Sequence, residues 1–194
     1  ISNHSSGKMG ISLAEEFAYR GAIVTVICGP VSKKIDNPFI RVINVESAQE
    51  MYEQTSKEYE NGTDVAIFSA AVADFTPDTI SNRKIKRNGD NLVLSLKPGV
   101  DIAQELGKRK HKDTIHIGFA LETDNEEANA QEKIKKKNFD AIVLNSLRDK
   151  GAGFSHDTNK VTFITSEGKK HPFALKPKSE VASDIADLTE TNFF

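Results

Sequence analysis

Short apolar runs alternate with amphipathic helical patterns along almost the whole chain, and this alternation constrains the fold more than any other feature. The runs at residues 22–28, 64–70 and 140–144 are nearly continuous, as in strands that are covered on both faces. Helical spacing of apolar residues recurs at residues 11–20, 101–110 and 125–137. Strands alternating with helices favour a doubly wound, mostly parallel sheet. The sequence therefore predicts a three-layer, Rossmann-like α/β fold.

Turn and cap signals add detail to this prediction. Glu167-Gly168 separates residues 161–165 from residues 172–175, which predicts a C-terminal β-hairpin. Ser47 and Glu50 have capping-box spacing for a helix that continues to Tyr59. Two further patterns are an alternation at Leu92, Leu94 and Leu96, typical of a half-exposed strand, and a last helix at about residues 178–190. With 194 residues, the chain is expected to form a single domain over residues 1–194.

The composition excludes several classes of protein. A formal net charge of −2 gives no reason to expect nucleic acid as a partner. No apolar stretch approaches the ~20 residues needed to span a bilayer, so no membrane partner is expected. The single cysteine, Cys28, rules out an internal disulfide and fits a reducing compartment. Its apolar surroundings predict a small buried core residue rather than a reactive thiol.

The opening run ISNHSSGKMG has the composition of an anion-binding turn. Ser5, Ser6 and Gly7 precede a predicted helix, whose first amides and dipole favour a negative charge. The run is neither a Walker A loop nor a G-x-G-x-x-G motif, because the required glycines are incomplete. Anion binding and an ordinary capped helix start both remain open. A strand expected to feed this turn is missing from the sequence.

Basic side chains form two further clusters. Lys84 and Lys86 lie in a polar, flexible-looking loop over residues 76–91, where a mobile lysine could reach a triphosphate. Asp74, just before this loop, could bind magnesium or a ribose hydroxyl, or cap a turn. Lys133 and Lys137 share one helix face, although such runs are usually solvated. The five histidines show no metal-ligand spacing.

Eight stretches together resemble one family, the bacterial phosphopantothenate–cysteine ligase domain. They are ISNHSSGKMG (1–10), GAIVTVICGPV (21–31), AAVADF (70–75), KIKR (84–87), VDIAQEL (100–106), IGFALET (117–123), KIKKKNFDAIVLN (133–145) and GFSHDTNKVTFI (153–164). The resemblance spans essentially the whole chain. Each motif alone is modest, but eight in the same order are highly specific.

The resemblance implies a ligation in two steps. The carboxylate of 4′-phosphopantothenate attacks the α-phosphate of CTP, giving an acyl-cytidylate and pyrophosphate, and the cysteine amine then displaces CMP. CTP is implied as co-substrate together with Mg²⁺, whose protein ligands are not assigned. The resemblance also implies a cytoplasmic homodimer, and fusion to or association with an FMN-dependent phosphopantothenoylcysteine decarboxylase.

Site residues are carried over by position. Asn3 matches the asparagine that handles the acyl-cytidylate, and Lys84 matches the first lysine of a catalytic motif on a mobile basic flap. The resemblance assigns the nucleotide to a larger set of positions: Ser5, Ser6, Gly7, Phe68, Ser69, Ala70, Asp74, Lys84, Val100, Asp101, Ile102, Ala103, Phe119, Lys133 and Lys137. It thus reverses the solvated interpretation of Lys133 and Lys137.

This sequence departs from the family pattern at a few places. Arg87 replaces a lysine, and Val100 replaces the usual proline before Asp101. The glycine-rich segment and the arginine that precede ISN in the family are absent, so the N-terminal edge of the domain is expected to be truncated. Three alternatives remain: an NAD(P)-dependent oxidoreductase, a non-catalytic nucleotide-binding module and a nucleic-acid-binding module. ATP in place of CTP is also open.

Overall fold

The computed structural model describes residues 5–31, 33–79, 81, 83, 86, 92–122, 124–146 and 156–194. In chain order the elements are α1 (Lys8–Tyr19), β1 (Val24–Cys28), β2 (Ile40–Asn44), α2 (Ala48–Glu60), β3 (Val65–Phe68), β4 (Phe75–Pro77), β5 (Leu96–Pro98), α3 (Ile102–Lys108), β6 (Ile115–Glu122), α4 (Glu126–Lys137), β7 (Ala141–Ser146), β8 (Thr158–Asn159), β9 (Val161–Thr165), β10 (Lys170–Pro172), β11 (Lys176–Pro177) and α5 (Lys178–Phe193). The predicted alternation of strands and helices is confirmed.

The main sheet has five strands in the order β10-β9-β7-β6-β3. β3, β6 and β7 run parallel, whereas β9 is antiparallel to β7 and forms a hairpin with β10. β1 and β2 form a separate parallel pair. The mostly parallel, Rossmann-like arrangement and the hairpin are therefore confirmed. The division of the parallel strands into two sheets was not predicted.

Helices cover both faces of the main sheet, which gives the three predicted layers. Val143 of β7 belongs to one core, with Leu13 of α1 and Val181 of α5. The preceding residue, Ile142, belongs to the opposite core with Ile134 of α4. Ile142, Val143 and Val181 have no exposed surface, so β7 lies at the centre of the packed layers.

A close approach of two elements fixes the position of α4. The ring of Phe139, which follows α4, lies against Gly118 of β6: a Cβ atom at Gly118 would stand 2.1 Å from the ring. Only glycine leaves room for this contact. Phe139 is buried and also packs against Phe68, with the two ring centroids 5.7 Å apart. The end of α4 is thereby held against β3 and β6.

The helices α2 and α3 begin at side-chain caps. The hydroxyl of Ser47 accepts a hydrogen bond of 3.1 Å from the Glu50 amide at the start of α2, as predicted. α1 begins at Lys8, three residues earlier than predicted, because Gly7 caps it in the left-handed conformation (φ 71°). In the described part of the chain, no helix is long and apolar enough to cross a membrane.

Other predictions on local structure were wrong. β1 was expected to be covered on both faces, with Cys28 in the core, yet all five of its residues are only partly buried. Burial still raises the pKa of the Cys28 thiol. The predicted strand over Leu92, Leu94 and Leu96 contains only the last of these: β5 pairs with the short β4, and all three of its residues are exposed. The second hairpin strand is Lys170–Pro172 rather than 172–175.

Candidate functional site

A cavity of about 870 Å³ extends along β1 and β3 and includes the carboxyl edge of the parallel strands, where β3 ends. In doubly wound sheets, ligands bind at this edge. Eleven residues predicted to contact a nucleotide line the cavity: Phe68, Ser69, Ala70, Asp74, Val100, Asp101, Ile102, Ala103, Phe119, Lys133 and Lys137. The structure thus gathers, from distant parts of the sequence, most of the predicted nucleotide-binding positions.

The segment that follows β3 forms one wall of the cavity. β3 ends at Phe68, and residues 69–73 then run without helix or strand, with small side chains at most positions. Gly10, in the first turn of α1, lies against this segment: a Cβ at Gly10 would stand 2.9 Å from the Ser69 hydroxyl oxygen. The opening motif and the end of β3 are therefore adjacent, and glycine permits their close approach.

Lys133 of α4 contributes a cation to the opposite wall. Its ammonium group donates a hydrogen bond to the Oε1 atom of Glu122, at the end of β6, and the Asn129 amide donates to Oε2 at 2.9 Å. Burial opposes the ionisation of Glu122, but these two hydrogen bonds outweigh it, so its pKa is lowered. The side chain of Lys133 is 40% exposed. Glu122 thus holds a charged, accessible ammonium group at the cavity.

Lys137, one turn further along α4, forms the second charged pair. Its Nζ atom lies 3.1 Å from Oδ2 of Asp101. The other carboxylate oxygen of Asp101 accepts a hydrogen bond of 3.1 Å from the Gln104 amide and caps α3. One carboxylate therefore sets both the start of α3 and the position of the Lys137 ammonium group.

Gly107 determines how closely α3 and α4 approach. A Cβ atom at this position would stand 2.1 Å from the carbonyl oxygen of Lys137. The Asn138 side chain donates a hydrogen bond of 3.1 Å to the Gly107 carbonyl and ties the two helix ends together. The pairing of Asp101 with Lys137 depends on this contact, because it sets the spacing between the two helices.

The start of α1 is a helix N-terminus without a side-chain cap. Gly7 has no side chain to offer, and the Ser5 hydroxyl accepts a long hydrogen bond of 3.4 Å from the Gly7 amide. Lys8 forms an ion pair of 2.6 Å with Asp157. Ser5, Ser6 and Gly7 do not line the cavity; of the described part of the opening motif, Gly10 alone does.

Both predicted catalytic residues, Asn3 and Lys84, lie outside the described residues. The strands before and after the segment that carries Lys84, β4 and β5, pair antiparallel and form a two-stranded base. Gly99, next to that base, donates its amide proton to the Asp74 carbonyl at 2.8 Å. This two-stranded base therefore lies beside Asp74, which lines the cavity.

Sequence reasoning missed two residues that shape the site, Glu122 and Gly107. Glu122 pairs with Lys133 across the turn between β6 and α4, a spacing that no helical or strand period reveals. Gly107 stands inside a helix, where glycine is unfavourable, and that alone could have marked it as a close contact. Among the described residues, no group of three His, Cys, Asp or Glu side chains could hold a metal ion.

Comparison with known proteins supplies the family. The chain is 52% identical over 185 residues to a cysteine/cysteine sulfinic acid decarboxylase from an unknown prokaryotic organism, covering 95% of this chain and 51% of the relative. It is 42% identical over 185 residues to the coenzyme A biosynthesis bifunctional protein CoaBC of Bacillus subtilis (strain 168), covering 95% and 45%. The chain thus spans about half the length of the curated relatives it matches.

A solved structure agrees with these relatives. The crystal structure of the C-terminal domain of a coenzyme A biosynthesis bifunctional protein CoaBC superposes with a TM-score of 0.80 at 34% identity, covering 96% of this chain and 83% of that chain. The family model for the DNA/pantothenate metabolism flavoprotein C-terminal domain matches residues 1–192. This chain belongs to the DNA/pantothenate metabolism flavoprotein C-terminal domain family.

Proposed function

We propose that this chain is a phosphopantothenate–cysteine ligase of coenzyme A biosynthesis. In the first step, the carboxylate of 4′-phosphopantothenate attacks the α-phosphate of CTP, an acyl-cytidylate forms and pyrophosphate leaves. In the second step, the amine of cysteine attacks the acyl carbon, CMP leaves and an amide bond forms. Neither step requires a covalent protein nucleophile.

The convergence of separate motifs on one cavity is the observation that carries this proposal. The segments 68–74, 100–103 and 133–137, together with Phe119, come from four separate regions of the sequence and meet beside the ends of β3 and β6. Gly10 brings the opening motif to the same place. A nucleotide that spans this cavity would touch the residues by which the sequence resembles the ligase family.

Charge placement suits a nucleotide triphosphate. Lys133 and Lys137 provide two ammonium groups on one wall, each oriented by a carboxylate. Positioned cations stabilise the charge that develops on a transferring phosphoryl group and on pyrophosphate as it leaves. Asp74 is exposed at the cavity and is available to a magnesium ion that arrives with the nucleotide. Mg²⁺ commonly binds through one or two carboxylates plus substrate phosphates.

The proposal extends to the setting of the enzyme. The relative from Bacillus subtilis is named as a bifunctional protein and is about twice as long as the matched region. This supports fusion of the ligase to, or its association with, an FMN-dependent phosphopantothenoylcysteine decarboxylase. The proposed enzyme is a cytoplasmic homodimer that uses CTP, as bacterial members of the resembled family do.

Two other activities are less well supported. A dinucleotide oxidoreductase needs a G-x-G-x-x-G turn, of which the opening motif has only Gly7 and Gly10. The relative named as a cysteine decarboxylase matches this chain over 51% of its length, so its name does not assign decarboxylation to the matched half.

An assay of the two half-reactions tests the proposal. Pyrophosphate release should require 4′-phosphopantothenate, CTP and Mg²⁺ together, and phosphopantothenoylcysteine should form when cysteine is added. CTP should also raise the thermal midpoint, whereas NAD(P) should not. Stabilisation by a dinucleotide without any by CTP would favour the oxidoreductase instead.

A further inference from the structure

Three polar side chains lie one turn apart along one side of α4. Asn129, Lys133 and Lys137 are spaced i, i+4 and i+8, and residues with this spacing are neighbours on the surface of a helix. The two lysines line the cavity, whereas Asn129 does not. Any influence of Asn129 on a bound nucleotide must therefore pass through a neighbouring group.

The Asn129 side chain ties together the turn between β6 and α4. Its amide group donates hydrogen bonds to Oε2 of Glu122 at 2.9 Å and to the carbonyl oxygen of Asp124 at 3.0 Å. An asparagine amide has two N–H groups, so both are used here. These two hydrogen bonds fix the orientation of the amide, and with it the position of one carboxylate oxygen of Glu122.

The two oxygens of the Glu122 carboxylate have different partners. Oε2 accepts from Asn129, and Oε1 accepts from the Lys133 ammonium group. The side chain of Glu122 is 12% exposed, whereas that of Lys133 is 40% exposed. The carboxylate is thus the more enclosed partner. Because Lys133 carries its charge on a flexible four-carbon stem, its ammonium group takes the position that Oε1 defines.

Lys137 shows the same arrangement with a different anchor. One oxygen of Asp101 accepts from the Gln104 backbone amide at 3.1 Å, and the other lies 3.1 Å from Nζ of Lys137. Each carboxylate therefore uses one oxygen for an anchor and the other for a lysine. The anchor of Asp101 is a backbone group, but the anchor of Glu122 is the side chain of Asn129, which a substitution can remove.

We propose that Asn129 is a positioning residue for the nucleotide: it holds Glu122, and through Glu122 it directs the ammonium group of Lys133 into the cavity. This inference rests on the proposed function, because it concerns the site where CTP would bind. Without Asn129, Lys133 keeps its charge, but its side chain must be ordered when the nucleotide binds. Ordering a flexible side chain on binding lowers the affinity.

Calorimetric titration with CTP and Mg²⁺ tests the proposal. Asn129→Ala should weaken CTP binding about threefold, as expected when one flexible side chain loses its preorganisation. Gln131→Ala is the matched control, because it removes the same chemical group from another side of α4 and does not line the cavity. Unchanged affinity of a folded Asn129→Ala variant would overturn the proposal. Failure of the unsubstituted chain to bind CTP would instead refute the proposed function.

A double-mutant cycle separates positioning from a general structural effect. If Asn129 acts through Glu122, then Asn129→Ala should cost no further CTP affinity in a chain that already carries Glu122→Ala. An equal loss in both backgrounds would show that Asn129 acts by another route and would overturn the proposal.

The pH dependence of CTP affinity provides a readout that a loss of stability would not move. Burial opposes the ionisation of Glu122, and the hydrogen bonds from Lys133 and Asn129 together with the charge of Lys133 lower its pKa. Asn129→Ala removes one of these hydrogen bonds, so the pKa should rise and the acid-side loss of affinity should begin at a higher pH. Titration of CTP itself is common to both proteins. Coincident pH profiles for the unsubstituted chain and Asn129→Ala would contradict the proposal.

Discussion

The parallel strands form two halves, the β1-β2 pair and the main sheet around β7. The two halves differ in how fully their strands are paired and buried, although both contain apolar strands. β7 has a neighbour on each side and helices on both faces, and its residues 141–143 have no exposed surface. β1 has a higher share of β-branched residues, but one neighbour within the described residues and only partial burial. Apolar composition therefore indicates that a segment is a strand, but it does not indicate how many neighbours that strand has.

The largest expected effect is a loss of stability in the main sheet around β7. Gly118→Ala should destabilise the fold by about 3 kcal/mol, because the new methyl group would overlap the Phe139 ring and the surrounding layers are closely packed. Urea unfolding monitored by circular dichroism measures the loss. Gly62→Ala is not a matched control, because Gly62 has a positive φ. A loss below about 1 kcal/mol would show that this half adapts more easily than its burial implies.

The same substitution in each half tests the comparison directly. Val143→Ala should cost about 2 kcal/mol, since the side chain is fully buried and its loss leaves a cavity. Val26→Ala should cost about half as much, because β1 is only partly buried. Equal losses in urea unfolding would mean that the edge of β1 is covered in solution.

The pH dependence of stability tests whether water is excluded from the surroundings of His116 in β6, as the structure shows. Burial and the nearby charge of Lys110 lower the pKa of His116 to about 4, with Asp140 acting in the opposite direction. The unfolded chain binds this proton near its ordinary value of 6.5, so stability is complete above that pH and falls as the pH drops towards 4. His116 changes the unfolding free energy by about 1.4 kcal/mol per pH unit in this range.

A variant isolates this histidine from the carboxylates that titrate in the same range. His116→Gln retains a polar group that can reach the Tyr59 hydroxyl, which lies 2.9 Å from Nε2 of His116. The number of protons taken up on unfolding sets the slope of the unfolding free energy with pH. Between pH 4.5 and 6.5 this number should fall by about one in the variant. An unchanged slope would show that His116 does not carry the effect.

The smallest expected effect concerns the site where the two halves meet. Lys133→Ala should weaken CTP binding about fivefold, roughly 1 kcal/mol, since it removes one accessible cation from the cavity wall. Lys136→Ala is the matched control, because Lys136 is exposed on the same helix and does not line the cavity. Isothermal titration calorimetry distinguishes the two variants.

Removing Lys133 also leaves the Glu122 carboxylate without its ammonium partner. The double change Lys133→Ala with Glu122→Gln separates the lost phosphate contact from the lost ion pair. If the double variant recovers stability but not CTP affinity, Lys133 contacts the nucleotide. Recovery of both would restrict Lys133 to a structural role.

Periodicity was sufficient to predict the order of the main elements and the class of fold. Ser47 could be predicted as a helix cap because a cap depends on neighbours in the sequence. Contacts between distant segments were not accessible in this way. The pairing of Asp101 with Lys137 and the contact of Phe139 with Gly118 depend on the spacing of whole elements, which no local pattern contains.

The site was predictable only by resemblance. Considered by composition, Lys133 and Lys137 looked like a solvated helix face. In the structure, Glu122 and Asp101 hold both ammonium groups beside the cavity. The role of the nucleotide positions stays a prediction, as do the roles of Asn3 and Lys84, which lie outside the described residues.

Gly107 has a consequence for how the sequence of this domain can change. Because the Lys137 carbonyl occupies the space of a side chain at position 107, any larger residue there must displace α4. That displacement would separate Lys137 from Asp101 and alter the cavity wall. Substitutions at position 107 are therefore coupled to those at positions 101 and 137. Within homologues, these three positions should vary together, and an exchange at one of them should mark a different spacing of the two helices.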